Sequence, residues 1–231
     1  MLWVREHSLI CLLTAAAVFT AFWLYFQRKR LNMKIPWVLI LSVLHVIVGV
    51  LCVKAFAILE AGSFSAAGNM SLFGAIFFLP VFYFLGAKLS HRSSGAVFDV
   101  FVISMAFTLG CARVNCLLSG CCLGRVIPDT PYRYPTREAE LVFYIIILCW
   151  FVLWTMKRDP GGRLYPVYMI AYGCFRFLCE FFRDNNTNLI LHLSHLWAAL
   201  SIIAGVGILI ELNQKRSRSK ASSVQHRRKT K

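Results

Sequence analysis

Five ionisable side chains, Lys54, Asp99, Arg113, Arg176 and Glu180, sit inside stretches that are otherwise apolar. Such a group at the centre of a hydrocarbon layer costs about 2.5–3.5 kcal/mol on insertion scales, so it faces a bundle interior or a wet cavity. Tyr172, Arg176 and Glu180 recur at i, i+4 and i+8, one face of a helix, and Arg183 continues the stripe at i+11. A face of tyrosine, arginine, glutamate and arginine does not turn to lipid. Arg113 lies on a separate segment, about 27 Å along it, and Arg176 about 18 Å along its own, at about 1.5 Å per residue. Both then fall in the same half of the bundle. Two convergent guanidiniums suit phosphate, which their planar donor forks grip. The competing reading is an Arg176–Glu180 ion pair that locks helices together. Asp99 and Lys54 stand nearer segment ends, where an interfacial position and snorkelling account for them.

The elements that must carry these residues are membrane helices. Of 231 residues, 58% are hydrophobic and 15% charged, and mean hydropathy is +0.65; soluble domains run at about 45–50% and about 25%. A bilayer crossing needs about 20 apolar residues. Seven runs qualify: 8–26, 36–58, 70–88, 95–118, 139–156, 164–182 and 190–212. Cations gather in alternate loops: Arg28, Lys29, Arg30 and Lys34; then Lys88 and Arg92; then Lys157, Arg158 and Arg163. The opposite loops carry Glu60 alone, or pair Arg183 with Asp184, and the fourth-to-fifth loop is mixed, with Arg125, Arg133 and Arg137 against Asp129, Glu138 and Glu140. The positive-inside rule then sets the N-terminus outside and the C-terminus in the cytoplasm. The expectation is an all-α integral membrane protein with seven transmembrane helices in one domain over 1–212. A basic cytoplasmic tail, 213–231, is expected to be disordered and to touch anionic lipid. The first run leads into Gln27-Arg28-Lys29-Arg30 instead of a small-residue cleavage site, so it reads as a retained helix. The net charge of +15 is a tail plus loops on an apolar body. That excludes a secreted disulfide scaffold, a disordered chain and most nucleic-acid-binding modules, and no nucleic-acid partner is expected.

Other chemistry is sparse. Cys11, Cys52, Cys149, Cys174 and Cys179 read as small apolar span residues. Cys116, Cys121 and Cys122 cluster near the outer end, where a Cys116–Cys121 disulfide is open. A metal site there is disfavoured, because neither a Cys-x-x-Cys spacing nor a neighbouring His supports it. No metal and no cofactor are expected. His192 and His195, at i and i+3, read as packing or hydrogen-bonding groups ahead of a general base. No Walker A, G-x-S-x-G or H-E-x-x-H is present.

The stripe belongs to a longer pattern. Residues 172–183, Y-G-C-F-R-F-L-C-E-F-F-R, resemble the Y-G-x-F-R-x-x-x-E-F-F-R signature of prolipoprotein diacylglyceryl transferases. Gly110 to Arg125 is similar to that family's G-R-x-G-N-F-x-N-G-E-x-x-G-R segment. Tyr134-Pro135-Thr136-Arg137 stands where the family has H-P-[ST]-Q, and Gly68 to Gly74 resembles G-x-M-S-F-H-G-G. The matches are collinear over 68–212. The resemblance implies seven spans and transfer of the diacylglyceryl group of phosphatidylglycerol to the lipobox cysteine of preprolipoproteins. The reaction would form a thioether at the outer face of the bacterial plasma membrane. Implied partners are phosphatidylglycerol, the preprolipoprotein signal peptide with its lipobox cysteine, and membrane lipid. Implied catalytic residues are Arg113, Arg176, Glu180 and Tyr172: the arginines hold phosphate, Tyr172 and Glu180 orient them, and Glu180 could accept the thiol proton. Asn115, Ser71, Tyr134 and Arg183 join Arg113 and Arg176 as substrate contacts. This chain departs from the pattern at Phe73 and Tyr134, where the family has His, at Cys116 for Asn and at Cys121 for Glu. Two readings follow: a transferase using a different base, or a non-catalytic lipid- or signal-peptide-binding paralogue.

Overall fold

A computed structural model describes residues 2–89, 91–184 and 191–229, and every named element among them is helical. In order these are α1 (Leu2–Gln27), α2 (Ile35–Ala61), a 3-10 turn (Phe64–Gly68), α3 (Phe73–Phe77), α4 (Leu79–Leu89), α5 (Ser94–Ser119), α6 (Thr136–Lys157), α7 (Leu164–Glu180) and α8 (Leu193–Lys229). Five of the seven expected runs coincide with one helix each, within a few residues. The last begins at Leu193; its expected start at residue 190 lies outside the described residues. The backbone of α8 continues through the basic stretch to Lys229, where the sequence suggests a separate disordered tail.

The run expected as one helix over 70–88 differs most. It starts at Phe73 and breaks at Phe78. Pro80 is the cause: it has no N–H for the Ile76 carbonyl, and its ring crowds that oxygen. In an apolar interior the orphaned carbonyl needs another donor. The Tyr165 hydroxyl of α7 supplies it, from a side chain only 4% exposed.

Among the described residues five helices, α1, α2, α5, α6 and α8, are long and apolar enough to cross a membrane. Five of the seven expected crossings thus meet this criterion of length and composition. The broken pair Phe73–Leu89 is a shorter apolar stretch, and α7 has 17 residues with Arg176 and Glu180 among them. Within the bundle, α5 is central: 61% of its apolar stretch is buried, against 22–33% for the other four. It packs on α1, α4, α6 and α7. The outer surfaces expose large apolar side chains such as Ile10, Phe22, Leu51, Ile146 and Ile203, as lipid-facing helices do. α7 and α8 approach at backbone distance; a Cβ on Gly173 would lie 2.8 Å from the Ala198 carbonyl oxygen.

One end of the bundle is latched by Asp99. Its carboxylate is fully buried within the protein. It accepts from Gly162 N–H at 2.7 Å, Leu164 N–H at 3.0 Å and Arg30 Nη2 at 3.0 Å, and Arg30 also pairs with Asp159. One side chain of α5 thereby fixes the end of α1 and the start of α7. Asp99→Ala orphans two buried amides and leaves Arg30 with Asp159, and is expected to cost about 3 kcal/mol of stability. The unfolding midpoint in detergent micelles measures this.

Candidate active site

The other end of the bundle holds the charges. α5 brings Arg113, α6 brings Glu140, and α7 brings Arg176 and Glu180, all 5% exposed or less. Glu140 is the bridge. Its Oε2 pairs with Arg113 Nε, and its Oε1 accepts from Arg176 Nη1 at 2.8 Å. Arg176 Nη2 then pairs with Glu180 Oε2 at 2.7 Å, the i, i+4 contact that the spacing implies. The result is a chain of alternating charge across three helices. Burial would expel isolated ions; only close pairing offsets their desolvation. The two guanidiniums do converge, but carboxylates largely neutralise them.

Tyr172 lies against this chain, 2% exposed and within electrostatic reach of Arg176, Glu140 and Arg113. Its hydroxyl has no hydrogen-bond partner among the described residues. A buried hydroxyl without a partner is costly in hydrocarbon. Phe73, buried at 3%, meets the Tyr172 ring edge-on, with centroids 5.8 Å apart. The position of the family's His thus does line the site, but with a side chain that carries no proton.

Over the charges lies a cap. Gly120, in a left-handed conformation, ends α5 and turns the chain into residues 121–135. Arg125 N–H donates to the Phe182 carbonyl at 2.8 Å and Asp184 N–H to that of Leu123 at 3.1 Å. An Arg133–Asp184 pair at 2.8 Å adds a clasp. Tyr134 packs on Phe182 in this cap, centroids 5.0 Å apart, and Arg183 turns Nη2 onto Cys122 Sγ at 3.2 Å.

Not every expected contact residue gathers here. Asn115 accepts from Ser8 Oγ at 2.8 Å and so faces α1. Two residues are about 200° of helical rotation, which turns Asn115 away from Arg113. Ser71 stands at the start of α3, its N–H on the Val53 carbonyl at 3.1 Å. His195 is 3% exposed between the Phe177 and Phe181 rings, its Nδ1 accepting from His192 N–H at 3.0 Å. Glu140 is the residue that sequence reasoning misses, because it reads as one acid of a mixed loop. The available signal is electrical: two intramembrane arginines in one half of the bundle need more than Glu180, and Glu140 stands at the mouth of the fifth run.

A membrane-crossing helical bundle with a buried arginine–carboxylate chain at one end defines a multi-pass membrane protein with a polar site. The family model described as prolipoprotein diacylglyceryl transferase matches residues 4–211, and the chain belongs to that family. The match extends the resemblance back over α1 and α2. Among similar proteins, one from Dehalococcoides mccartyi is 26% identical over 188 residues, 71% of this chain and 72% of the relative. One from Clostridium tetani is 28% identical over 152 residues, 58% of this chain and 61% of the relative. One from Chlorobaculum tepidum is 28% identical over 173 residues, 66% and 59% of the two. All three are named phosphatidylglycerol–prolipoprotein diacylglyceryl transferase.

Proposed function

We propose that this chain transfers the diacylglyceryl group of phosphatidylglycerol to the lipobox cysteine of preprolipoproteins, at the outer face of the bacterial plasma membrane. The observation that carries the reading is the Arg113–Glu140–Arg176 bridge with the unpartnered Tyr172 hydroxyl beside it. In this reading α7 and the α3–α4 pair complete seven crossings, the N-terminus is outside, and the site opens toward outer-leaflet headgroups.

The acceptor sulfur attacks the glycerol carbon that bears the phosphate ester. A C–S bond forms, the C–O bond breaks, and glycerol phosphate leaves. The thiol must lose its proton, since the thiolate is the nucleophile. Negative charge grows on the departing phosphate, and fixed cations stabilise it without reorganisation. Arg113 and Arg176 take that role, each drawn toward phosphate from its present carboxylate. Glu140 and Glu180 hold the guanidiniums apart and aligned until then, and Glu180 is placed to receive the thiol proton. Tyr172 donates to a phosphate or glycerol oxygen. Arg183 and Tyr134 line the approach of headgroup and peptide from the cap, while Asn115 and Ser71 take no part in it.

The test incubates membranes containing the protein with labelled phosphatidylglycerol and a reduced lipobox peptide. Thioether-linked product is expected, falling at least about 100-fold in Arg113→Ala, the scale for losing one transition-state charge contact. Lipid binding without product, under conditions where a full-motif enzyme turns over, would overturn catalysis in favour of a binding paralogue.

A further inference from the structure

Beside Arg113 lies a group the transfer reaction does not use. Left-handed conformations at Gly120 and Cys122, φ +72° and +56°, fold the chain back on the end of α5. A non-glycine residue rarely adopts this conformation. The fold-back places the sulfurs of Cys116, Cys121 and Cys122 within 4.8 Å of one another. All three are free thiols, and Cys121 is exposed. Around them stand Arg183, whose Nη2 is 3.2 Å from Cys122 Sγ, and Arg113, whose Nη1 is 3.9 Å from Cys116 Sγ. Ser119 Oγ lies 3.3 Å from Cys121 Sγ.

Two fixed cations beside the sulfurs favour a thiolate and oppose a metal cation at the centre of the triad. The Cys122 thiol is pushed down by its hydrogen bond with Cys116 and by the charges of Arg183 and Arg113, against burial. Cys122 is thus the thiol of the three favoured as thiolate, with two further thiols in reach. One attacking thiolate with a neighbouring resolving thiol is the arrangement that thiol–disulfide exchange requires.

We propose that Cys116, Cys121 and Cys122 form a thiol–disulfide exchange site that reduces an oxidised acceptor cysteine before lipid transfer. This rests on the proposed transferase reading, in which the acceptor must arrive as a thiol on a face where thiols oxidise. Cys122 thiolate attacks the acceptor's disulfide; an S–S bond to Cys122 forms, the acceptor's S–S bond breaks, and one thiolate leaves. Cys116 or Cys121 then attacks Cys122 Sγ, gives up its proton and releases the second thiol. The two electrons come from the protein's own pair of thiols, which end as an internal disulfide. An external dithiol is the reductant for further turnovers.

The experiment uses the reduced full chain in detergent micelles and a lipobox peptide whose cysteine is disulfide-linked to glutathione. One peptide thiol is expected per protein, with a new disulfide from Cys122 to Cys116 or Cys121 seen by peptide mass mapping. Cys122→Ser should slow release at least tenfold, and a Cys116→Ser/Cys121→Ser chain should trap a mixed disulfide on Cys122. Alkylation of Cys122 by iodoacetamide should be half-maximal well below the pH usual for a thiol, and Arg183→Gln should move it upward with all three thiols kept. Release at the wild-type rate in Cys122→Ser overturns the proposal. So does one tightly held zinc ion that blocks alkylation of all three thiols, which would make the triad a metal site. Transfer to the already reduced peptide is scored separately. Exchange without transfer sinks only the transferase reading, and transfer without exchange sinks only this one.

Discussion

Glu140→Gln is expected to lower kcat/KM for diacylglyceryl transfer at least about 100-fold, and to destabilise the protein by about 3–5 kcal/mol. The substitution keeps shape and one acceptor but removes the single negative charge between Arg113 and Arg176. Two buried guanidiniums then face each other with only Glu180 left, and an uncompensated buried charge costs about that much. Transfer rates with labelled lipid and unfolding midpoints in micelles give the two numbers. Glu180→Gln should do less to stability, since Glu180 stands at the end of the alternating chain beside Arg176 and not between the two arginines. If Glu140→Gln lowers the midpoint yet transfers at the wild-type rate below it, the network is a structural lock and the arginines do not hold substrate.

Gly74→Ala is expected to cost about 3 kcal/mol, at the upper end for overpacking. A Cβ there would fall on the Cys52 carbonyl oxygen and 2.7 Å from Val53 Cα, both backbone atoms of α2. No rotamer relieves that contact, so α3 must lift off α2 and carry Phe73 away from Tyr172. The loss should therefore appear in transfer rate as well as in the unfolding midpoint. Gly207→Ala is the control: its Cβ meets nothing within 4 Å, and helix propensity should make it neutral or stabilising by up to about 1 kcal/mol. Equal midpoints for the two variants would mean that α3 is not tightly seated on α2.

These variants divide what the residue order determines from what it leaves open. Apolar runs interrupted by Arg-rich and Gly/Pro-rich loops fix where helices start and stop, because hydrogen bonding and hydrophobicity act along the chain. The i, i+4, i+8 recurrence likewise places Tyr172, Arg176 and Glu180 on one face. It was legible without coordinates, as was the placing of Arg113 and Arg176 in one half of the bundle. The break at Phe78 was half legible: Pro80 announces a lost hydrogen bond, while the donor that replaces it is Tyr165, 85 positions downstream.

The remaining features depend on how each helix is rotated about its own axis against its neighbours, which no local pattern encodes. Rotation puts Arg113 toward α6 and Asn115 toward α1, and turns Glu140 from a loop charge into the link between two arginines. It also buries Asp99 against the start of α7. The thiol triad needs both the left-handed turn after α5 and Arg183 from the end of α7. By itself, then, the sequence determined the solvent, the helices and the cations they carry. Tertiary packing chose which opposite charges meet, since in a low-dielectric interior a pairing a few ångströms off leaves ions that cannot stay buried.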